Sequence, residues 1–219
     1  MSKHELEQQL IHTAHALRER GLLFLGAHAN LSARAGDQLL ITRGGSMAEL
    51  GSADLAWLDL QADPQHVEGF SPVFREILAM HTRLYRQRGD IGALVHCHPR
   101  YSTAFAVAQR AIPAVYEPML RQGIQADVPV VAWAPRGSEA SVNGILDAFA
   151  SPSTVAVLLA NHGVLVGGGD LAEALGRLTA MEEAAELALH AQALGGAKPL
   201  PAAAYADVNE RMQQFQKAS

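Results

Sequence analysis

A single cysteine, Cys97, stands among the 219 residues, so no internal disulfide can form and the chain suits a reducing compartment. Positive charge is not in excess either. Seventeen Lys and Arg face 22 Asp and Glu, for a formal net charge of -5, which leaves no basic field to hold a nucleic-acid backbone or an anionic membrane. No apolar run reaches the ~18 uninterrupted residues of a membrane span. The opening stretch, MSKHELEQQLIHTAHALRER, is polar and helical in pattern, without the apolar region or cleavage site of a leader. Aromatic residues make up only 5%, yet 49% hydrophobic against 18% charged is an ordinary globular composition. No repeat, low-complexity tract or Pro/Ser linker divides the molecule. The expectation is a cytoplasmic protein with one domain over residues 1–219 that handles a small molecule, not a nucleic acid or a membrane.

Periodicity predicts interleaved helices and strands. Leu6, Leu10, Thr13, Ala14 and Leu17 recur at three- and four-residue spacing, which predicts an amphipathic helix over 3–20 stopped at Gly21. Residues 30–33 and 38–42 read as strands joined by Ala35-Gly36-Asp37, and 57–60 as another short strand. Ser71 caps a helix that opens with Pro72 and runs through Glu76, Leu78, His81 and Tyr85 to about Gly89. Further strands are expected at 92–98, 128–133, 154–160 and 164–166, with helices at 100–109 and from Ser138 to about Phe149. Asp170 and Glu173 have the spacing of a capping box for a long helix to about Leu194, and Gly195-Gly196 sets it apart from a short tail helix at about 203–216. Gly167-Gly168-Gly169 lacks a strand–loop–helix dinucleotide signature and is assigned to turn geometry. The order predicts an α/β fold: one three-layer domain with helices on both faces of a central sheet.

The chemistry concentrates in Leu94-Val95-His96-Cys97-His98-Pro99. Side chains two apart on a strand share a face and sit ~7 Å apart, so His96 and His98 project together while Cys97 faces away. Two such imidazoles can converge on one ion. His162, between a strongly apolar strand and Gly163, can supply a third nitrogen. Three histidines with an open position make a catalytic metal site, because a structural zinc closes its coordination sphere. Such a site also needs an acid or base, and Glu76 and Glu117 are the candidates, the second in a segment bounded by Pro113 and Pro118. The remaining histidines, His81 among them, read as surface or packing residues.

At these residues the chain resembles the class II aldolase/adducin head-domain family, in its fuculose-phosphate aldolase-like branch. The likeness covers about 5–195 and is carried by His28-Ala29-Asn30-Leu31-Ser32, Leu40-Ile41-Thr42-Arg43-Gly44-Gly45, His81-x-x-x-Tyr85, Val95-His96-Cys97-His98, Ala134-Pro135-Arg136-Gly137-Ser138 and Asn161-His162-Gly163. It implies a mixed, largely antiparallel sheet, a homotetramer with a C-terminal helical tail over 200–219, and a divalent metal held by His96, His98 and His162: zinc first, manganese or cobalt otherwise. It also implies a metal-dependent lyase of the aldolase type, in which the metal polarises substrate oxygens and stabilises an enediolate. The position of Glu117 is a catalytic residue in the family's aldolases and dehydratases.

Three departures bear on the substrate. His81 follows Glu76 by one residue more than the family pattern, and one residue turns a helical side chain by ~100°. Both serines that grip phosphate in the aldolases are missing, and Gly44 replaces a hydroxyl residue beside Arg43. What is left of a phosphate cradle is Asn30, Thr42, Gly45 and Ser46. Arg43 and Arg75 offer planar guanidinium groups to a carboxylate instead. The alternatives are therefore a metal-dependent decarboxylase of a hydroxy-carboxylate, a sugar-phosphate dehydratase or epimerase using Glu117, and a non-catalytic adducin-like scaffold.

Overall fold

A computed structural model of the protein describes residues 2–24 and 28–218; residues 1, 25–27 and 219 of the expected domain span lie outside the described residues. The helices are α1 (Lys3–Glu19), α2 (Pro72–Gln87), α3 (Arg100–Val107), α4 (Glu117–Arg121), α5 (Glu139–Ala148), α6 (Leu171–Ala191) and α7 (Ala202–Ala218). The strands are β1 (Asn30–Ala35), β2 (Gln38–Thr42), β3 (Leu55–Asp59), β4 (Ala93–Cys97), β5 (Val130–Val131), β6 (Ala156–Leu159) and β7 (Gly163–Gly168). They form one sheet in the order β3-β2-β1-β4-β7-β6-β5. Every pairing is antiparallel except β5 with β6, so the sheet is mixed and largely antiparallel.

Alternation along the strands splits the core in two. Leu31, Ala33, Val95, Cys97, Val164 and Val166 pack under α1, α3 and α6, while Leu39, Ile41, Leu94, Val157 and Leu165 pack under α2 and α5. The result is the expected three-layer α/β/α arrangement. On β4 the parity puts His96 on the α2/α5 side with Leu94, and β4 is the middle strand of the seven. Arg88, 5% exposed, ties the α5–β6 turn to the end of α2. Its Nη1 donates to the Phe149, Ser151 and Thr154 carbonyls and its Nη2 to the Pro152 carbonyl and Asp90.

Capping follows the sequence closely. Ser2, Ser71, Ser138 and Asp170 each accept the backbone N–H three residues on. Glu173 reaches back to the Gly169 N–H rather than to Asp170, so that box closes one residue early. Four differences have plain causes. The expected strand at 128–133 shrinks to Val130–Val131 plus an isolated bridge between Ile112 and Val128, with Pro129, which has no N–H to donate, between the two. The helix expected at 100–109 ends at Val107, where the chain turns through Gln109 at φ 51°. Glu117 begins the short helix α4, which periodicity over so few residues does not reveal. Gly167 and Gly168 belong to β7 rather than to a turn: a Cβ on Gly168 would lie 2.5 Å from the Ala174 nitrogen, so the bare backbone lets α6 close on the sheet.

Candidate metal centre

His96 is the penultimate residue of β4, His98 is the first residue beyond that strand, and His162 sits in the β6–β7 turn. Asn161 makes that turn at φ 57°, a left-handed conformation that asparagine tolerates. Gly163 is required by close approach: a Cβ there would lie 2.5 Å from His98 Cδ2 and 2.6 Å from the Cys97 carbonyl oxygen. The three rings meet with centroids 4.8–5.0 Å apart. One ligand nitrogen from each lies within 4.8 Å of the others, a short side-chain adjustment from the roughly 3.4 Å separations of a tetrahedral site with ~2.0 Å bonds.

Their outer nitrogens are committed. His96 Nδ1–H donates to the Val164 carbonyl at 2.8 Å and His98 Nδ1–H to the His28 carbonyl at 3.2 Å, which leaves each Nε2 as the lone-pair nitrogen. Burial, then the fields of His162 and His98, hold His96 well below the usual imidazole range. Burial also lowers His98, and burial with the fields of His98 and Arg136 lowers His162 to about 4. All three rings are therefore neutral at pH 7, the form that ligates a metal. Convergent neutral nitrogens with backbone carbonyls on their far side fit a divalent cation.

The rings floor a cavity of about 240 Å³. Its polar side carries His28, Asn30, Gly44, Gly45, Glu76, Arg136 and Ser141, and its other wall is apolar: Phe74, Ile77, Met80, Val142, Ile145 and Leu159. Glu76 reaches it from α2 over Gly137, whose φ of 75° and lack of a Cβ, which would sit 2.3 Å from Glu76 Cδ, both call for glycine. Arg136 Nε lies 3.8 Å from Glu76 Oε2. The carboxylate is not part of the converging ligand set, which is the three histidines alone among the described residues.

Other expected residues sit elsewhere. Glu117 lies outside the cavity, paired with Arg121 on the half-exposed first turn of α4. Thr42 is buried and its Oγ1 accepts the Leu31 N–H. Arg43 turns away, donating to the Gly69 carbonyl at 2.7 Å and lying over Phe70. Ser46 and Arg75 do not line the cavity, and Arg75 Nε is buried without a partner among the described residues. Sequence reasoning gave no role to Arg136 or the apolar wall, and it left His81 as a surface or packing residue. His81 is wholly buried and hydrogen-bonded to Asn30 and Ser32. A polar i, i+4 pair, His81 and Tyr85, on the same helix face as buried Leu78 was the available signal.

Known proteins share this architecture. An L-fuculose 1-phosphate aldolase superposes with a TM-score of 0.82 at 27% identity, covering 97% of this chain and 98% of that one. The L-fuculose-1-phosphate aldolase of Thermus thermophilus gives 0.75 at 27%, covering 91% and 100%. In sequence, the 5-methylthioribulose-1-phosphate/5-deoxyribulose-1-phosphate aldolase of Rhodospirillum rubrum is 33% identical over 186 residues, 84% of this chain and 80% of that protein. The L-fuculose phosphate aldolase of Escherichia coli strain K12 is 27% identical over 216 residues, 98% and 96%. The family pattern of the class II aldolase and adducin N-terminal domain matches residues 8–189, a span that holds all three converging histidines and both flanks of the sheet. With that match, this chain belongs to the class II aldolase and adducin N-terminal domain family, whose aldolases are metal-dependent lyases.

Proposed function

We propose that this chain is a divalent-metal-dependent aldolase that breaks or forms the C–C bond beside a carbonyl in a small hydroxy-carbonyl compound, a short ketose phosphate of the kind named for its relatives. The observation that carries the reading is the convergence of three neutral imidazole nitrogens on the floor of a pocket. His96, His98 and His162 would hold the ion, and three nitrogens with an open position favour zinc. Bound there, the ion supplies Lewis-acid polarisation of the substrate's carbonyl and hydroxyl oxygens.

The chain's own residues do the rest. Glu76 is the carboxylate on the pocket wall, and it would take a proton from a substrate hydroxyl and return it. Asn30 and the Gly44-Gly45 backbone supply neutral groups for phosphate or hydroxyl oxygens, and Thr42 fixes the neighbouring strand through the Leu31 N–H. The wall of Ile77, Met80, Val142, Ile145 and Leu159 offers no hydrogen-bond partner and leaves any hydroxyl turned toward it unpaired. That supports a substrate whose aldehyde half is poor in hydroxyls. The decarboxylase reading draws on Arg43 and Arg75, neither of which lines the pocket. Exposed Val107, Trp133, Leu187 and Leu189 support a homo-oligomer, proposed as a tetramer, and the lone buried cysteine supports a cytoplasmic location.

Protein purified without a histidine tag should carry near-stoichiometric zinc, manganese or cobalt by elemental analysis. It should release an aldehyde and a ketone phosphate from L-fuculose 1-phosphate or 5-deoxyribulose 1-phosphate, lose this on chelation and in His96→Ala, and regain it when metal is returned to the wild type. A folded, metal-free protein with no cleavage would overturn the reading; carbon dioxide release from a hydroxy acid would move it to decarboxylation.

A further inference from the structure

Behind the pocket lies a buried polar chain between β1 and α2. Asn30 Oδ1 is 2.6 Å from His81 Nε2, His81 Nδ1 is 2.7 Å from Ser32 Oγ, and Ser32 Oγ is 2.9 Å from the Tyr85 hydroxyl, which is also 3.1 Å from the Ser32 carbonyl oxygen. Ser32, His81 and Tyr85 are fully excluded from solvent and Asn30 is 4% exposed.

The Asn30 end sets the direction. An amide oxygen only accepts, so Nε2 carries the imidazole proton. Burial lowers the His81 pKa to about 3, and the ring is neutral. Nδ1 is then a lone pair and Ser32 O–H donates to it, while the one Tyr85 O–H is shared between Ser32 Oγ and the Ser32 carbonyl oxygen. The chain runs one way, from Tyr85 through Ser32 and His81 to Asn30. Asn30 Nδ2 has no protein partner among the described residues, yet Asn30 lines the pocket and stands opposite His96 in the β1–β4 ladder.

We propose that His81, backed by Ser32 and Tyr85, is a positioning residue: its donation to Asn30 Oδ1 locks the amide with Nδ2 turned into the pocket, as a neutral donor to a negatively charged oxygen of the substrate. The place favours such a group. Beside His96 a lysine would repel the cation and an aspartate would bind it, whereas an amide N–H does neither. An untethered asparagine exchanges donor for acceptor by a half-turn of its amide. Here that half-turn would set two N–H groups against each other where no water can help. Only reversal of the whole chain, with the proton on Nδ1, would let the amide oxygen face the pocket.

The inference rests on the pocket being the substrate site, but its first test needs no substrate. Nitrogen-15 NMR of histidine-labelled protein, with the His81 signal assigned by its loss in His81→Gln, should show a neutral Nε2–H tautomer from pH 5 to 8. The Nδ1–H tautomer, or a titration near pH 6.5, overturns the proposal. The second test uses whichever ketose phosphate is cleaved. His81→Leu should raise KM about tenfold with kcat within about twofold, the size of one mis-set hydrogen bond. His81→Gln, which keeps a donor and an acceptor, should recover most of that loss, and in an Asn30→Ala background His81→Leu should change KM no further. Equal losses for His81→Leu and His81→Gln, or a further loss in the Asn30→Ala background, would show that His81 acts through the fold alone. Should no ketose phosphate be cleaved, the aldolase reading fails and the tautomer alone decides the positioning role; it also decides should His81→Leu not fold.

Discussion

Adding one methyl group at Gly163 tests the candidate metal centre without replacing any of its three histidines. The glycine is not in the left-handed region, so alanine is conformationally allowed there, and the entropy lost from the unfolded chain favours the variant by about 0.4–1 kcal/mol. Against that stand contacts of 2.5 Å to His98 Cδ2 and 2.6 Å to the Cys97 carbonyl, where ordinary contact begins at 3.4 Å. Something must give by close to an ångström. Cys97 is held in the β4–β7 ladder opposite Val164, so the strain passes to the His98 ring or separates the two strands. Overpacking of this kind costs about 1–3 kcal/mol. If the ring moves, the cost falls on metal affinity, a loss of about ten- to a hundredfold. If the strands part, it falls on stability, at about 2–4 °C per kcal/mol for a chain of this size. Competition of the apoprotein with a chromophoric chelator measures the first and thermal unfolding the second. Gly163→Ala with wild-type metal affinity and an unchanged Tm would refute the geometry.

Other perturbations separate roles within the site. Gly137→Ala combines a strained φ of 75° with a carbon against the Glu76 carboxylate; kcat should fall at least about tenfold with metal content intact, and loss of metal instead would make Glu76 a ligand. Lowering the pH should destabilise the protein through His81. Its folded pKa of about 3 lies below the ~6.5 of the unfolded chain, so the unfolded state binds more protons between the two values. Stability is full above about pH 6.5 and is lost toward pH 3 by up to about 1.4 kcal/mol per unit. His81→Gln should flatten that limb in urea titrations, and an unchanged slope would mean the ring is not the titrating group. Arg88→Lys replaces a planar fork serving four carbonyls and Asp90 with three donors, and should cost about 2–4 kcal/mol; a loss under ~1 kcal/mol in urea unfolding would show that water or the lysine satisfies the turn.

The layers and the candidate metal-binding histidines were legible because both depend on short-range pattern. Alternation at 94–98 fixed which way His96 and His98 point, and the Asn-His-Gly turn after an apolar strand marked His162. What escaped depends on contacts between distant residues. Arg43 looks free beside a glycine loop, but its partner is the Gly69 carbonyl, 26 residues on. Glu117 is different: its partner Arg121 is only four residues on, and what the sequence hid is that α4 stands away from the pocket. His81 reads as a filler on an apolar helix face until β1 brings Asn30 and Ser32 against it, 51 and 49 residues away in sequence. Pro129 was visible, but its effect on a strand depends on where the neighbouring hydrogen bonds fall.

The middle strand of the sheet carries one of the converging histidines, its immediate continuation carries the second, and the hairpin zipped beside it carries the third. No local segment can assemble that trio. It exists only once chain stretches some seventy residues apart have paired, so cation capture reports completion of the whole architecture. By the same linkage an ion seated there clasps the centre of the molecule rather than a peripheral loop. Its free energy would appear as slowed amide exchange along β1, β4 and β7 together.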